Sequence, residues 1–450
     1  MTPHARVARR HRMIWRWHFY AGLFCIPFVL CLAVTGSIYL FRPQIEAWLD
    51  RPYGGIATSA ASATPSAQVR AALAALPGST LHAYQLPAHD GDAAQVLVGE
   101  AGLEWRVYVH PTSAAVLATV EEDARPMRLL AHLHGELLLG DRGSLLVELA
   151  ASWAIVMILT GLYLWLPRHA RGFGGVLYPR LRGSERVFWR DLHGVVAFWV
   201  SGLVLFLLVS GLPWAKSWGS LLREVRQWSG ERSVRQDWPS GSPSELAARV
   251  AFDAGDGAGG HHEHGATSPS SDRLDLGALD RVVAAAAQLA LAPPVLVSPP
   301  SRRTARWTAK SDAANRPTRA QAEFDDDGRV LARSAFASRP LVDRIVGYGV
   351  AAHEGQLFGV ANQLLGVTAA LGLFVACISA IRLWWRRRPA GTLGAPPPIA
   401  GPRASLAIVL LVVAIGVLLP LLGCSLVCVV VGERFVLRRI PRAVRFLGLA

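Results

Sequence analysis

Long apolar runs alternate along this chain with polar stretches of shorter periodicity. Residues 19–41 are apolar over 23 positions, enough to cross the ~30 Å hydrocarbon core of a bilayer. Comparable runs cover residues 145–166, 195–214 and 357–381, and a fifth covers 405–431 with Pro420 inside it. The polar regions between them, 43–130 and 215–352, are predicted to stand outside the membrane. In the first, 68–76 reads as a helix and the alternations at 93–98, 105–109 and 116–120 read as strands. In the second, 276–290 reads as a helix, with strands near Val295 and at 305–310, 320–324 and 330–333. Each region is therefore expected to form a small α+β module. A Gly/Ser/Pro-rich insert at 239–272, containing His261, His262 and His264, reads as a linker.

Charge supplies the orientation. The first run follows Arg6, Arg9, Arg10, Arg12 and Arg16, and it exceeds the apolar core of about 7–15 residues that a cleaved signal peptide carries. Residues 19–41 are thus expected to stay as a helix, with residues 1–18 in the cytoplasm. The basic loop 167–192 and the linker 382–404, which opens with RLWWRRR, belong on the same side. The tail poses a conflict. One kinked span at 405–431 puts it outside, whereas Arg434, Arg438, Arg439, Arg442 and Arg445 favour the inside, and a re-entrant or surface-lying segment reconciles the two. With 450 residues, 52% hydrophobic and 17% charged, the chain reads as an integral membrane protein. Its formal net charge of +14 gathers beside the spans and forms no basic groove with interleaved aromatics, which argues against a nucleic-acid partner. Cys25, Cys31, Cys377, Cys424 and Cys428 all lie in apolar runs and read as buried hydrophobes.

The spans repeat. His134 and His353, Gly140 and Gly359, Thr160 and Ser379, Trp165 and Trp384, and Arg168 and Arg387 are all 219 residues apart. His18 and His193, and Thr35 and Ser210, are both 175 apart. The offsets differ by 44, close to the size of the insert, so a duplicated helix–module–helix unit that gained a linker in its second copy explains both. This gives four core helices, two outer α+β modules and a C-terminal hydrophobic span. It also places His18 and His193 near the cytoplasmic face and His134 and His353 near the outer face. Two neutral imidazoles on facing helices are the ligand set of a b-type haem, so two bis-histidine haems are expected. Gly22 and Gly194 supply small residues beside the ring. Arg16 and Arg190, with Arg12 and Arg186, are candidates for propionates on one side, and Arg128, Arg142 and Arg344 on the other. Glu136 and Glu354 follow the outer histidines and are candidates to orient an imidazole. His132 points elsewhere on its helix and ranks as a reserve ligand.

RWHFYAGLF at 16–24, LHGELLLGDRG at 133–143 with GLYLWLPR at 161–168, RDLHGVVAFW at 190–199, and HEGQLFG with RLWWRRR resemble the PepSY-associated transmembrane proteins, also called iron-regulated membrane proteins. The likeness covers most of residues 12–388. It implies that the outer modules are PepSY-like periplasmic domains and that the chain sits in a bacterial inner membrane as a ferric-siderophore reductase. The family's haem ligands carry over to His18, His193, His134 and His353. The chain departs from the family in its histidine-rich insert and C-terminal span. The expected function is electron transfer from the cytoplasm or the quinol pool to a ferric siderophore or other ferric chelate. No GxGxxG fingerprint follows a predicted strand, so the electron donor is expected to be separate. The competing reading is a sensor or assembly protein whose modules bind peptide, cell-wall or protease partners. Transport is disfavoured by the scarcity of acidic residues in the spans.

Overall fold

A computed structural model describes residues 3–57, 61–166, 172–228, 275–301, 305–397 and 405–449. The insert at 239–272 and its histidines lie outside the described residues. The chain divides into two compact units, one made of Met1–Leu40, Leu133–Ser233 and Gln363–Ala450, the other of Phe41–His132 and Val234–Asn362.

The first unit is helical. Its long elements are α1 (Pro3–Tyr39), α5 (Gly140–Trp165), α6 (Glu185–Gly211) and α10 (Val360–Arg387). Among the described residues, five helical stretches are long and apolar enough to cross a membrane: Val7–Tyr39, Gly140–Trp165, Glu185–Trp214, Val360–Arg387 and Pro420–Arg439. The protein is an integral membrane protein. The helix of α1 begins well before residue 19, running through Arg9, Arg10, Arg12 and Arg16. The Ser184 side chain caps α6 by accepting from Val187 N. Inside the bundle Cys25, Val29, Ala154 and Cys377 form one buried cluster and Ile158, Val200, Val204 and Ala369 another. Large apolar side chains such as Val209, Leu364 and Leu371 remain more than half exposed, as a lipid-facing surface requires.

Two features of this unit differ from the pattern-based expectation. Residues 216–228, assigned above to the polar region, form α7 (Lys216–Trp228), and the Glu148 carboxylate in α5 accepts from Ser217 N and Trp218 N at its first turn. The apolar stretch 405–431 is two helices, α11 (Leu406–Leu418) and α12 (Pro420–Phe435). Leu419 leaves the helical region at φ −122 and ψ 84, and Pro420 starts the next helix at its first position, where its missing N–H costs nothing. The two helices fold back on each other: a Cβ on Gly423 would lie 2.6 Å from Gly416 O, across a separation that a continuous helix keeps about 10 Å apart. Leu419 and Leu422 at the bend are buried with Leu212. The tail then returns to α1, where Arg16 donates to Gly448 O at 3.1 Å and to Pro396 O, and Tyr20 donates to Leu447 O. The C-terminus therefore lies at the His18 end of the bundle.

The second unit is built on a sheet. Helix α3 (Pro65–Ala75) precedes β1 (Thr80–Gln85), β2 (Ala94–Glu100), β3 (Leu103–Val109) and β4 (Val116–Glu121). Helix α8 (Leu276–Gln288) precedes β5 (Val295–Ser298), β6 (Trp307–Ser311), β7 (Ala320–Phe324) and β8 (Val330–Ala335) in the same order. The strands form one antiparallel sheet in the order β4-β3-β2-β1-β5-β6-β7-β8. The two α+β regions meet at the β1–β5 seam, where Tyr84 pairs with Val297 and Gln85 with Leu296. They share a core in which Val69, Val96 and Val107 from one side join Leu279, Val297, Trp307 and Phe324 from the other. Above the seam, Ser66 donates through N and Oγ to Asp280 at 2.8 and 2.7 Å, so α8 supplies the acceptor for the first turn of α3. Strand β1 was not among the expected strands, since TLHAYQ alternates with His82 and Gln85 and contains few strong strand formers.

Candidate functional site

Helix α1 carries His18 and α6 carries His193, and the structure brings these two together. Their ring centres are 6.3 Å apart with planes inclined at 69°. Each ring is fixed through Nδ1. His18 Nδ1 lies 3.0 Å from Met157 O in α5, and His193 Nδ1 lies 2.9 Å from Ala376 O in α10. A carbonyl oxygen only accepts, so each Nδ1 carries the proton of the neutral imidazole. The Nε2 lone pair is thereby left available on both rings. Met157 and Ala376 are themselves 219 residues apart, so the two anchors occupy equivalent turns of α5 and α10. Beside each anchor a hydroxyl, Thr160 Oγ1 or Ser379 Oγ, donates back along its own helix, to Val156 O or Val375 O at 2.7 Å. The residue types at the matched positions Thr160 and Ser379 are explained by this shared arrangement.

With both Nε2 atoms turned to one metal ion, the separation of the rings would suit it. Two metal–nitrogen bonds of about 2.0 Å, with roughly 1.1 Å from each nitrogen to its ring centre, put the centres about 6.2 Å apart. Among the described residues no group of three or more His, Cys, Asp or Glu side chains is placed to hold a metal. Two histidines alone do not complete a site for a bare ion. Two imidazoles would suffice as the protein's ligands to a haem, whose macrocycle supplies the other four nitrogens. The ring of His18 also lies against the backbone of α5, because a Cβ on Gly161 would come 3.0 Å from its Cε1. Gly22 and Gly194 face Met157 and Trp165 instead.

His134 sits in α4 (Pro126–Glu136) and its Nδ1 lies 2.8 Å from Thr35 Oγ1. That hydroxyl donates to Cys31 O at 2.8 Å, so it accepts from Nδ1 and again leaves Nε2 with a lone pair. The ring rests on Gly36, whose Cβ would come 3.0 Å from His134 Cε1. Between α4 and α5 the chain reverses through Leu137, Leu138 and Gly140, with φ of 53, 57 and 56. A Cβ on Gly143 would fall 1.6 Å from Glu136 O, so only glycine admits this closure. Glu136 is buried at the turn. In the sheet-bearing unit, His353 is the last residue of α9 (Leu341–His353). The following turn uses Gly355 and Gly359 at φ 74 and 59, the latter matching Gly140. Asn362 Nδ2 braces it by donating to Ala352 O at 2.9 Å. His132 Nε2 lies 3.8 Å from Asp123 Oδ1, turned toward the sheet-bearing unit's own acid.

The charged candidates are engaged locally. Arg16 clasps the C-terminal carbonyls, and Arg190 pairs with the buried Asp191 at 2.8 Å, where Arg180 also binds at 2.7 Å. Glu354 Oε1 accepts from Arg316 Nη2 at 3.2 Å. Arg316 and its neighbour Arg319 are both buried beside α9. Burial holds the Arg319 guanidinium below its ordinary pKa, with Asp312 opposing and Arg316 reinforcing that shift. Neither arginine was singled out by sequence, because a polar RPTR segment between strands reads as surface. Met157, Ala376 and Gly161 were missed for a related reason: backbone acceptors and close approaches leave no mark in side-chain pattern.

A search of curated proteins finds no match to the chain. Residues 15–387 match the family described as PepSY-associated TM region, a stretch that runs from the turn before His18 to the last residue of α10, and the protein belongs to that family.

Proposed function

We propose that this protein is a haem-bearing electron conduit of the bacterial inner membrane that reduces a ferric siderophore or other ferric chelate on the periplasmic side during iron uptake. The observation that carries the reading is the His18–His193 pair, 6.3 Å between ring centres, with each Nδ1 committed to a helix carbonyl. A b-type haem held by these two imidazoles supplies a one-electron Fe(III)/Fe(II) couple. The residues of the chain do the rest. Met157 O and Ala376 O fix the tautomers and the ring rotations, and Gly161 lets the His18 ring lie close to α5. The repeat pairs His134 with His353 as a second ligand set, with Thr35 holding His134 in the same tautomer. We read the two halves of the sheet as PepSY-like domains that arose with the helices in one duplication. In this reading the N-terminus and the clasped C-terminus are cytoplasmic, and electrons enter from a separate cytoplasmic donor or from quinol.

The test is a reduced-minus-oxidised spectrum of the purified protein, with haem counted per chain. Two bis-histidine centres are expected in the wild type and one in His193→Ala. A wild type without a haem signal sinks the proposal and leaves the sensor reading in its place.

A further inference from the structure

A cavity of about 390 Å³ opens at the His18 end of the bundle, lined among others by Trp15, Arg387, Pro396, Arg445, Phe446 and Gly448. We propose that it binds the phosphate of an anionic membrane phospholipid.

The walls are held in place by specific contacts. Arg16 ties Gly448 O to α1, Leu393 N donates to Phe446 O at 2.8 Å, and Trp384 Nε1 donates to Leu393 O at 2.8 Å. The lining includes no carboxylate. Several neighbouring arginines do have acids: Arg382 and Arg386 pair with Glu185, Arg180 and Arg190 with Asp191, and Arg438 with Glu433. Among the described residues no carboxylate lies within ion-pair distance of Arg387 or Arg445. Arg387 is instead stacked over Trp15 at 5.0 Å and Phe19 at 5.6 Å, which holds its guanidinium in one plane.

Two guanidinium groups over an apolar floor match a phosphodiester, whose oxygens take fork-shaped donors and whose glycerol side is apolar. Free phosphate shares the first half of that chemistry. The lipid is favoured by position: Trp384 and Trp385, with Arg388 stacked at 5.2 and 4.9 Å, form an aromatic-basic belt beside the cavity, the composition of a headgroup layer. Basic pockets between membrane spans are a common site for anionic headgroups. The proposal does not depend on haem.

Native mass spectrometry of the full-length protein in detergent tests it, with dihexanoylphosphatidylglycerol, dihexanoylphosphatidylcholine and inorganic phosphate as probes. One equivalent of the phosphatidylglycerol is expected to bind in preference to the other two. The double variant Arg387→Ala, Arg445→Ala should weaken it about thirtyfold, and Arg438→Ala should leave it unchanged. Ala395→Phe, which fills the cavity and keeps both arginines, should abolish binding at an unchanged unfolding midpoint, and it carries the test should the double variant fail to fold. Wild-type binding in Ala395→Phe overturns the proposal. Equal binding of phosphatidylcholine removes the anion selectivity, and equal binding of inorganic phosphate removes the lipid; either result overturns it.

Discussion

The Thr35 hydroxyl donates to Cys31 O and receives the Nδ1 proton of His134, both at 2.8 Å. Thr35→Val keeps the side-chain shape and removes that acceptor. Losing such an outer contact weakens metal retention about 10- to 100-fold, so, with haem bound as proposed above, a centre held by His134 should release it at least tenfold faster to a scavenging apoprotein while one held by His18 keeps it. Equal release from both centres, or from neither, contradicts the assignment. A second residue-scale prediction concerns Glu122, which is buried and accepts from Arg106 Nε and Nη2 at 2.8 and 3.0 Å. Burial alone raises its carboxyl pKa, but Arg106, aided by Arg128 and Arg125, holds it below its ordinary value near 4.5. A pKa depressed by folding contributes stability at higher pH and loses it as pH falls through the folded value. Wild-type unfolding midpoints should therefore drop steeply on acidification below about pH 4.5. Glu122→Gln should flatten that dependence and cost about 3 kcal/mol at neutral pH. His18 and His193, the two that the structure brings together, were legible as candidates because ionisable groups are rare in a span. Their anchors were not, because Met157 and Ala376 act through carbonyls that every residue possesses.

Elements announced by a long apolar run were the easiest to read. All four core helices lie where the hydropathy put them, with ends shifted where arginine stems carry a helix beyond its apolar run. Short elements obeyed local rules that the run obscures: Pro420 marks the hairpin between α11 and α12, yet apolar residues on both sides made 405–431 look continuous. The α4–α5 junction shows how much one position can carry. Gly143 closes on Glu136 O at a distance no Cβ survives, whereas a Cβ on Gly135, the penultimate residue of α4, would meet nothing within 4 Å. Gly143→Ala must open the turn and should lower the unfolding free energy by about 4 kcal/mol, at the upper end of single-site effects. Gly135→Ala should leave stability equal or raise it by up to about 1 kcal/mol, since alanine is the better helix former and its Cβ meets nothing there. Thermal unfolding in detergent, followed by tryptophan fluorescence, checks the pair, and similar midpoints for both variants would refute this account of the junction.

On the scale of the whole chain, most of the helix-then-strands succession in each polar region was legible, but how the two regions associate was not. Period-two patterns predict strands, and they do not state which edges meet. The seam requires only two paired positions between β1 and β5, reinforced by the Ser66–Asp280 contacts and by apolar side chains that either half alone would leave exposed. A core drawn from both halves makes them one cooperative body. Val297 sits at the seam, fully buried and paired with Tyr84. Val297→Ala removes two methyl groups from that shared core and should cost about 2 kcal/mol, combining lost transfer energy with a residual cavity. If the halves unfold together, hydrogen exchange should accelerate to the same extent at Val96 and Val107 as at Ala309 and Ala322, roughly thirtyfold for 2 kcal/mol under conditions where exchange follows equilibrium opening. Faster exchange confined to β5, β6 and β7 would show two independent modules in contact, and the shared core would then be an interface between separately stable domains.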